Sequence, residues 1–376
     1  MKFGLFYEWP NPQGRDWRTL FEEGIEQIQY AEELGFNFVL IAEHHFSNYG
    51  MSPAPLLQAL AVAQQTTRLK IATAVLVLPE WQPLRLAEEV AVLDQLSNGR
   101  FICGVGRGYQ PHEFARFGIT AEQSRGMFNE SLDVLLKAWT STESFTYAGE
   151  YVTIPHEVVV WPKPLQQPHP PLWVAGSSGE TMVLAAERDL VPITTGFLGW
   201  DGLADAAALW VQARRRLHKP VDTFELGLQM MTLVTDSDAD ARACLSYPRW
   251  QLRAGRSLNR STVVNGCVVP ASYEGEPDDD ALWNSLYYGS PDTVIAKLRR
   301  AADAGVTFAS NWMMMGGVEH RTVMNSIKLM GREVLPALRD VHPPADFVER
   351  MAARRVASTT LRRTVGPAGA AATAPT

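Results

Sequence analysis

The sequence predicts an α/β fold, an eight-stranded parallel (β/α) barrel of the TIM type. Short runs of β-branched and aromatic residues alternate with longer runs that have helical periodicity. Eight such pairs fit into 376 residues, a length that barrels reach as one domain. An open, doubly wound sheet is the alternative, because alternation alone does not prove that the sheet closes.

Each predicted strand is a short apolar run that ends at a turn signal. The strands are Lys2–Tyr7, Phe38–Ala42, Leu69–Val77, Phe101–Val105, Leu172–Ala175, Val191–Thr194, Glu225–Val234 and Val306–Met313. The helices predicted between and after them are Trp17–Leu34, Pro55–Gln65, Pro83–Leu96, Gln123–Trp139, Gly179–Glu187, Gly202–Leu217, Pro291–Ala304 and Arg321–Leu338. Proline at a first helical position, as at Pro291, and glycine after a helix, as at Gly35, mark several of these boundaries.

Two long insertions interrupt the alternation, after the fourth and the seventh predicted strands. Residues 143–171 contain Tyr147-Ala-Gly149 and clustered prolines, which predict a hairpin and an extended linker. Residues 236–289 have weak periodicity and are expected to form a lid or substrate loop. We therefore expect a barrel domain over residues 1–340 and a disordered tail over residues 352–376, where alanine, proline and threonine dominate.

Composition argues against several classes of protein. The net charge of −7 disfavours a nucleic-acid surface, which would carry a basic face. Cys103, Cys244 and Cys267 lack the spacing of a zinc site or a disulfide framework. The N-terminal segment lacks a signal-peptide core, and no apolar run approaches the length of a membrane span. We expect a cytoplasmic protein that binds neither nucleic acid nor membrane and has no metal site.

The tripeptide Glu43-His44-His45 directly follows the second predicted strand. Histidine titrates near neutral pH and can transfer protons. In a barrel, strand ends open onto the face where chemistry takes place. Paired histidines can also merely cap a strand end, so the tripeptide alone leaves both interpretations open.

Two glycine-containing turns could bind phosphate. Arg107 lies between Gly106 and Gly108, where a guanidinium can bind an anion with two hydrogen bonds or simply occupy a surface turn. The dinucleotide fingerprint would need a further glycine where Tyr109 stands, which argues against a classical NAD site. The second turn leads from the fifth strand into a helix start, where backbone N–H groups and hydroxyls suit an anion or plain serine capping: Gly176, Ser177, Ser178 and Thr181. The HExxH, GxSxG and GxxxxGK[ST] motifs are absent.

Taken in chain order, these motifs resemble those of the bacterial luciferase-like flavin-dependent monooxygenases. The resemblance covers roughly residues 1–340 and is weak in 236–285. Each motif is weak alone, but the ordered set is specific. It consists of Ala42-Glu-His-His-Phe46, Thr73-Ala-Val75, Leu78-Pro79, Pro83-Leu-Arg-Leu-Ala-Glu88, Leu93-Asp-Gln-Leu-Ser-Asn-Gly-Arg-Phe101, Gly106-Arg-Gly108, Phe114 to Gly118, Ala185-Ala-Glu-Arg188 and Gly289-Ser-Pro-Asp-Thr293.

The resemblance implies a site for FMN at the C-terminal mouth of the barrel. Arg107 would bind the FMN phosphate, a cis peptide bond between Ala74 and Val75 would lie under the flavin ring, and His44 would face its reactive side. The cofactor-contacting positions implied in this way are Ala74, Val75, Gly106, Arg107, Gly108, Tyr109, Gly176, Ser177, Ser178, Thr181 and Thr195.

The resemblance also implies an activity. Reduced FMN, supplied by a separate flavin reductase, and O2 would oxygenate a small hydrophobic substrate through a flavin hydroperoxide, with His44 as general acid or base. Hydroxylation, epoxidation and Baeyer–Villiger insertion all remain open. Two alternatives are a deazaflavin-dependent oxidoreductase and a flavin-binding protein without turnover. The family commonly pairs through its early helices, so a homodimer is expected.

An apolar, aromatic substrate pocket is expected at the strand ends. The residues that suggest it are Phe6, Tyr7, Trp9 and Phe46. Two positions depart from luciferase itself, which has a cysteine at the position of Gly106 and an aromatic residue at that of Gly196. Because both changes alter the space around the ring, we do not expect light emission.

Overall fold

A computed structural model of the chain describes residues 1–356 and shows a closed barrel of eight parallel strands. The barrel strands are β1 (Lys2–Tyr7), β2 (Phe38–Ile41), β3 (Lys70–Thr73), β4 (Phe101–Gly106), β5 (Leu172–Ala175), β6 (Val191–Thr195), β7 (Gly227–Val234) and β8 (Phe308–Trp312). Each strand pairs in parallel with the next, and β8 pairs with β1. The predicted barrel is confirmed, and the open sheet is excluded.

Helices surround this barrel. They are α1 (Trp17–Glu33), α2 (Pro55–Gln65), α3 (Pro83–Leu96), α4 (Pro111–Phe117), α5 (Ala121–Thr140), α6 (Gly179–Arg188), α7 (Gly199–Arg216), α8 (Asp238–Ala243), α9 (Ser246–Asn259), α10 (Asp279–Ser285), α11 (Pro291–Asp303), α12 (His320–Leu329), α13 (Leu335–Leu338) and α14 (Phe347–Ala353). A π-helical turn, Met330–Val334, joins α12 to α13. Within residues 1–356, no helix combines the length and the apolar character needed to cross a bilayer.

Side chains alternate between the barrel interior and the helical layer. Phe38 of β2 packs edge-on against Trp173 of β5 and Phe308 of β8, so these three rings fill the interior. On β1, the Tyr7 hydroxyl instead donates a hydrogen bond of 3.0 Å to Gln27 of α1, outside the barrel. The interior is therefore a packed core, and ligands can reach the barrel only at its ends.

The two insertions follow β4 and β7, as predicted, but their secondary structures differ from each other. After β4, an antiparallel hairpin of Phe145–Ala148 and Thr153–Val158 follows α5 and leads into the proline-rich linker. After β7, the region that lacked clear periodicity is largely helical and contains α8, α9 and α10. Its last segment, Tyr287–Gly289, pairs in parallel with the end of β7.

Part of the second insertion is attached to loops at the C-terminal ends of β1, β2 and β8. In the loop after β2, the Asn48 side-chain carbonyl accepts from the Val268 N–H at 2.9 Å. From α9, Gln251 donates to the Glu8 carboxylate after β1. The Gln251 carbonyl also accepts from the Gly316 N–H after β8 at 3.1 Å. These bonds place α9 at the mouth of the barrel.

The ordered domain extends beyond residue 340. Helix α14 packs against α7, where the Gln212 amide donates to the Met351 carbonyl at 3.1 Å and to the Arg354 carbonyl at 2.8 Å. Arg354 also pairs with Asp205 at 2.6 Å. The expectation of a disordered tail from residue 352 is therefore wrong for residues 352–356, because side-chain contacts with α7 hold them. The remainder of the predicted tail, residues 357–376, lies outside the described residues.

Candidate active site

The segments that follow the first four barrel strands bring carboxylates and imidazoles together at the C-terminal mouth. Glu8 follows β1, the Glu43-His44-His45 tripeptide follows β2, Glu80 follows β3 and Glu113 follows β4. Glu8, Glu43 and Glu113 are almost fully buried, and the Glu80 side chain is 1% exposed. Carboxylates are rarely buried unless they are paired, so this cluster marks a specialised site.

His44 lies between two buried carboxylates. Its Nδ1 is 3.0 Å from Glu113 Oε1, and its Nε2 is 3.7 Å from Glu8 Oε2. The same Glu113 oxygen accepts from the His45 backbone N–H at 2.9 Å, which fixes the carboxylate. The imidazole also packs edge-on against Tyr49, with ring centroids 4.9 Å apart. The ring is thus held in one orientation, as a proton-transferring group requires.

Burial and charge oppose each other at this histidine. Burial lowers the pKa of His44, whereas the nearby carboxylates, first Glu113 and then Glu8, raise it. The carboxylates have the larger combined effect, so the net pKa lies well above the ordinary histidine value. Burial raises the pKa of Glu8, although His44 partly offsets this rise. The arrangement therefore favours a protonated imidazole beside a carboxyl group that is itself easy to protonate.

Hydrogen bonds connect this group to α9. Gln251, which donates to Glu8, also contacts the Tyr49 hydroxyl, and Tyr49 is in turn hydrogen-bonded to Tyr109. The ring centroid of Tyr109 lies 6.5 Å from that of His44. Glu8, Gln251, Tyr49 and Tyr109 therefore form one connected network next to His44.

His45 faces a separate pair of carboxylates. Its Nε2 is 3.3 Å from Glu43 Oε1 and 3.5 Å from Glu80 Oε2. Glu43 is anchored by the Val77 N–H at 2.6 Å and by the Trp81 indole N–H at 2.8 Å. Burial, and then the charges of Glu113 and Glu43, raise the pKa of Glu80 to about 8. Glu43, His45 and Glu80 thus form a second group, separate from the one around His44.

The Ala74–Val75 peptide bond is cis, which confirms the backbone conformation implied by the resemblance. It follows β3 directly, next to the end of β4. A Cβ atom at Gly106 would lie 2.6 Å from Val75 Cγ2, so a larger residue there would need the valine to move. Glycine at this position therefore lets the two strand ends approach each other closely.

A candidate anion site, centred on Arg107, lies elsewhere at the same mouth. Arg107 is half-buried, and burial followed by repulsion from Arg125 lowers its pKa. Arg125 pairs with Glu180 in the first turn of α6. Ser178 caps this helix, because its hydroxyl accepts from the Thr181 N–H at 3.2 Å. Two neighbouring guanidiniums beside a helix N-terminus fit a phosphate group such as that of FMN.

Glycine at position 176 leaves space for the Thr181 hydroxyl in this candidate anion site. A Cβ atom at Gly176 would lie 2.7 Å from the Thr181 hydroxyl oxygen, so only glycine leaves that hydroxyl in place. Arg107 donates a long hydrogen bond of 3.3 Å to Ser124. Thr195, the last residue of β6, lies at the same end of the barrel. The positions predicted from the resemblance therefore gather at one face, while their contacts with a cofactor remain predictions.

The structure corrects part of the predicted substrate pocket. Tyr7 and Trp9 lie between the barrel and α1, where Trp9 is fully buried with its ring centroid 5.2 Å from that of Phe21. They are core residues and do not line the mouth, because strand alternation directs Tyr7 outward. Phe6 faces the interior, with its ring centroid 5.3 Å from that of Trp312. Phe46 is half-exposed beside His45.

Phe46 borders an apolar cavity of about 490 Å³ that reaches His44. The cavity lies between α1, the loop after β2 and α2. Its apolar lining includes Trp17, Phe21, Phe46, Met51, Leu57 and Ala61. A volume of this size suits a small organic ligand.

Sequence reasoning from motifs missed the four carboxylates as functional groups, and it also missed Tyr49 and Gln251. Glu8, Glu80 and Glu113 are dispersed along the chain, and only the fold brings them together. A general signal was available for Glu8 and Glu80, since each stands within three residues of a predicted strand end. That signal is weak, because acids are common in loops.

Similarity to known proteins identifies the class to which this chain belongs. The family model described as luciferase-like monooxygenase matches residues 1–307, and the chain belongs to this family of flavin-dependent monooxygenases. A curated relative, the oxygenase component of the flavin-dependent trigonelline monooxygenase of Acinetobacter baylyi, is 26% identical over 351 residues. That alignment covers 90% of this chain and 96% of the relative.

Two solved structures share the fold. One is the oxygenating constituent of the 3,6-diketocamphane monooxygenase from Pseudomonas putida, a type II Baeyer–Villiger enzyme in complex with FMN, with a TM-score of 0.75 and 24% identity over 90% of this chain and 98% of the other. The other is an F420-dependent secondary alcohol dehydrogenase, with a TM-score of 0.72 and 20% identity over 90% of this chain and 99% of the other. The fold is therefore shared by enzymes that use different flavins.

Proposed function

We propose that the chain is the oxygenase component of a two-component monooxygenase. Reduced FMN and O2 would be its cosubstrates, a separate flavin reductase its partner, and a small hydrophobic molecule its substrate. The observation that carries this proposal is the placement of a buried, carboxylate-held His44 and an anion site at the same mouth of the barrel. The relative named as an oxygenase component supports the two-component arrangement.

The residues divide the work of binding. Arg107, with Arg125 and the N-terminus of α6, would hold the FMN phosphate. The Ala74–Val75 turn would lie under the isoalloxazine ring, and Gly106, whose missing side chain accommodates Val75, would let the two strand ends approach each other there. When bound, reduced FMN supplies the chemistry that activates oxygen; the protein supplies orientation and a dry site.

His44 would hold or deliver the proton that this chemistry consumes. Glu113 binds its Nδ1, so Nε2 is the atom that can exchange a proton with a ligand. Glu8, 3.7 Å from Nε2, can replenish that proton because burial favours its protonated form. Tyr49 packs edge-on against the His44 ring and Gln251 donates to Glu8, so both would limit the access of water to this pair.

The cavity next to His44 supports the choice of a small apolar substrate. Its lining is aromatic and aliphatic, and Phe46 and His44 border it. Phe6, inside the barrel beside Trp312, would form the floor under a ligand in the mouth. The trigonelline and diketocamphane enzymes show that related chains act on compact organic molecules. A homodimer remains a prediction.

The F420-dependent neighbour makes a deazaflavin the alternative cofactor. Anaerobic titration with reduced FMN and, separately, with reduced F420 tests this point directly. We expect tight binding of reduced FMN only. Binding of reduced F420 without binding of reduced FMN would replace the proposal by hydride transfer without oxygen.

Oxygen use is the decisive second step. The complex with reduced FMN would be mixed with oxygenated buffer in a stopped-flow spectrometer, with and without cyclic ketones and aromatic substrates. We expect a transient that absorbs in the near ultraviolet before oxidised flavin appears, and incorporation of label from ¹⁸O2 into a product. Immediate reoxidation with every compound, together with a flavin that is never released, would support a non-catalytic flavin-binding protein instead.

A further inference from the structure

We propose that Glu43, His45 and Glu80 form a binding site for one divalent transition-metal cation, such as Zn²⁺ or Mn²⁺. The site lies beside the candidate active site but uses none of the residues assigned to flavin or to proton transfer. One ligand atom from each side chain lies within 4.8 Å of the other two. The proposal does not depend on the identity of the flavin.

The distances fit ligands around a cation better than hydrogen bonds. His45 Nε2 lies 3.3 Å from Glu43 Oε1 and 3.5 Å from Glu80 Oε2. A single ring nitrogen carries at most one proton, so it cannot donate to both oxygens, and both separations exceed the usual N–H···O range of about 2.7–3.2 Å. Zinc–ligand bonds of about 2.0–2.2 Å in a tetrahedron hold neighbouring ligand atoms about 3.3–3.6 Å apart.

Glu80 supplies the independent sign that a ligand is missing. Its side chain is 1% exposed, and within residues 1–356 neither of its carboxylate oxygens accepts a hydrogen bond. Burying a carboxylate without partners is costly, and coordination to a cation removes that cost. Glu80 also lines a cavity of about 290 Å³ formed with Phe117, Gln123 and Tyr151, which offers an entry path.

Glu43 has the outer support that metal ligands usually have. The Val77 N–H and the Trp81 indole N–H donate to its oxygens and fix its orientation, and Oε1 also lies 3.3 Å from His45 Nε2. The side chain of His45 is only 12% exposed and directs Nε2 toward both carboxylates. The three ligands are therefore held in place by the fold before any cation binds.

The buried carboxyl groups beside His45 also favour the binding of a cation. Glu43 and Glu80 are two buried carboxyl groups that share one imidazole neighbour, His45. A divalent cation between them would stabilise their ionised forms. One nitrogen and two carboxylate ligands suit Zn²⁺ or Mn²⁺ and leave a coordination position for water.

Such a cation would crosslink two loops, because its ligands come from both. Glu43 and His45 belong to the loop after β2, and Glu80 belongs to the short 3₁₀ turn that follows the Ala74–Val75 bond. The cation would therefore fix the backbone on both sides of His44 and beneath the position proposed for the flavin. Its contribution is to position these loops and not to take part in oxygen chemistry.

The test is a titration of the full-length protein, purified without a metal-affinity tag and stripped with chelator, with Co²⁺ in the absence of flavin. We expect one equivalent of Co²⁺ per chain with the intense visible absorption of a four-coordinate site, its displacement by Zn²⁺, and a higher thermal unfolding temperature in the presence of Zn²⁺. Because this measurement uses the wild-type chain, it does not depend on whether a variant folds.

Variants then locate the site. Glu80→Gln should weaken Co²⁺ binding at least tenfold while circular dichroism remains unchanged. Glu88→Gln, which removes the same charge from the exposed face of α3, should bind Co²⁺ like the wild type. The proposal is overturned if the wild type shows no Co²⁺ absorption, or if Glu80→Gln and wild type bind equally well. A more stable Glu80→Gln protein, with no metal binding in either form, would show that Glu80 holds a proton instead.

Discussion

His44 and His45 are neighbours in the chain, yet their side chains serve different groups of residues. The His44 ring is bound to Glu113 and faces Glu8, whereas the His45 ring turns toward Glu43 and Glu80. Successive residues of an extended segment point to opposite sides, so one tripeptide serves two sites. Glu113 joins them, because it contacts the His44 ring and the His45 backbone N–H.

The two groups differ in how completely their hydrogen bonds are satisfied. Around His44, both carboxylates have hydrogen-bonding partners, from Gln251 to Glu8 and from the His45 backbone to Glu113. Around His45, both oxygens of Glu80 lack such a partner within residues 1–356. A satisfied network is suited to holding a proton in place, whereas a set of unsatisfied acceptors is suited to a cation. Burial alone does not distinguish the two functions.

Substitution of His44 should change the activity more than any other substitution proposed for this protein. His44→Asn should lower the rate of substrate oxygenation by about 10²–10⁴-fold, the usual contribution of a general acid or base. The affinity for reduced FMN should change less than threefold, because the phosphate site is elsewhere. Product formation and hydrogen peroxide release would be measured together in one coupled assay.

The control for this variant is His156→Asn, an exposed histidine in the hairpin after α5. It should leave product yield and peroxide release unchanged. Full coupled turnover in His44→Asn would remove His44 from the mechanism and would leave its carboxylate partners without a catalytic function.

The second effect concerns the candidate anion site centred on Arg107. Arg107→Ala should weaken FMN binding by about 1.5–3 kcal/mol, the range for hydrogen bonds to a charged group. Arg125→Ala should cost less, because Glu180 already occupies part of its guanidinium. Fluorescence quenching of the flavin would measure both. Arg85→Ala on α3, where the exposed arginine pairs with half-buried Glu89, is the matched control; equal affinities in all three variants would place the phosphate elsewhere.

Much of the fold could be predicted because local signals agreed with the tertiary structure. The bounds of Lys2–Tyr7, Leu172–Ala175, Pro55–Gln65 and Pro83–Leu96 match at both ends. Proline at the first helical position and apolar runs flanked by turns define these elements without help from distant residues. The cis Ala74–Val75 bond was also predicted, but only through the resemblance to a family.

The parts that could not be predicted depend on contacts between distant segments. Helix α9 is polar along much of its length, and its Arg249 and Arg253 pair with Glu276 across a long stretch of chain. Residues 352–356 looked like tail but are held through Arg354 and Asp205. Tertiary contacts overrode weak local patterns in both places.

The site was predicted unevenly for the same reason. Motifs led to His44, to Arg107 and to the turn before α6, since each belongs to a short string of characteristic residues. Glu80 and Glu113 became recognisable only when the fold placed them beside the two histidines. Trp9 was misassigned because an aromatic residue at a strand end can face either the mouth or the helical layer, and the sequence does not fix which.

Two further substitutions, one in each histidine group, should have small effects on stability. Tyr49→Phe removes a hydroxyl from the His44 group, and Trp81→Phe removes the indole N–H that donates to Glu43. Each change deletes one buried hydrogen-bonding group, so each should lower the free energy of unfolding by about 0.5–1.5 kcal/mol. Urea unfolding would measure this common loss.

The functional consequences should nevertheless differ. Tyr49→Phe should change the lifetime of the near-ultraviolet transient in the stopped-flow experiment and leave Co²⁺ affinity unaltered, because its hydroxyl belongs to the His44 network. Trp81→Phe should weaken Co²⁺ binding by up to about tenfold, as expected for a residue that orients a metal ligand, while product yield stays near that of the wild type. If both variants changed both properties equally, the two histidine groups would be one coupled site, and Glu113, which touches both, would be the residue that couples them.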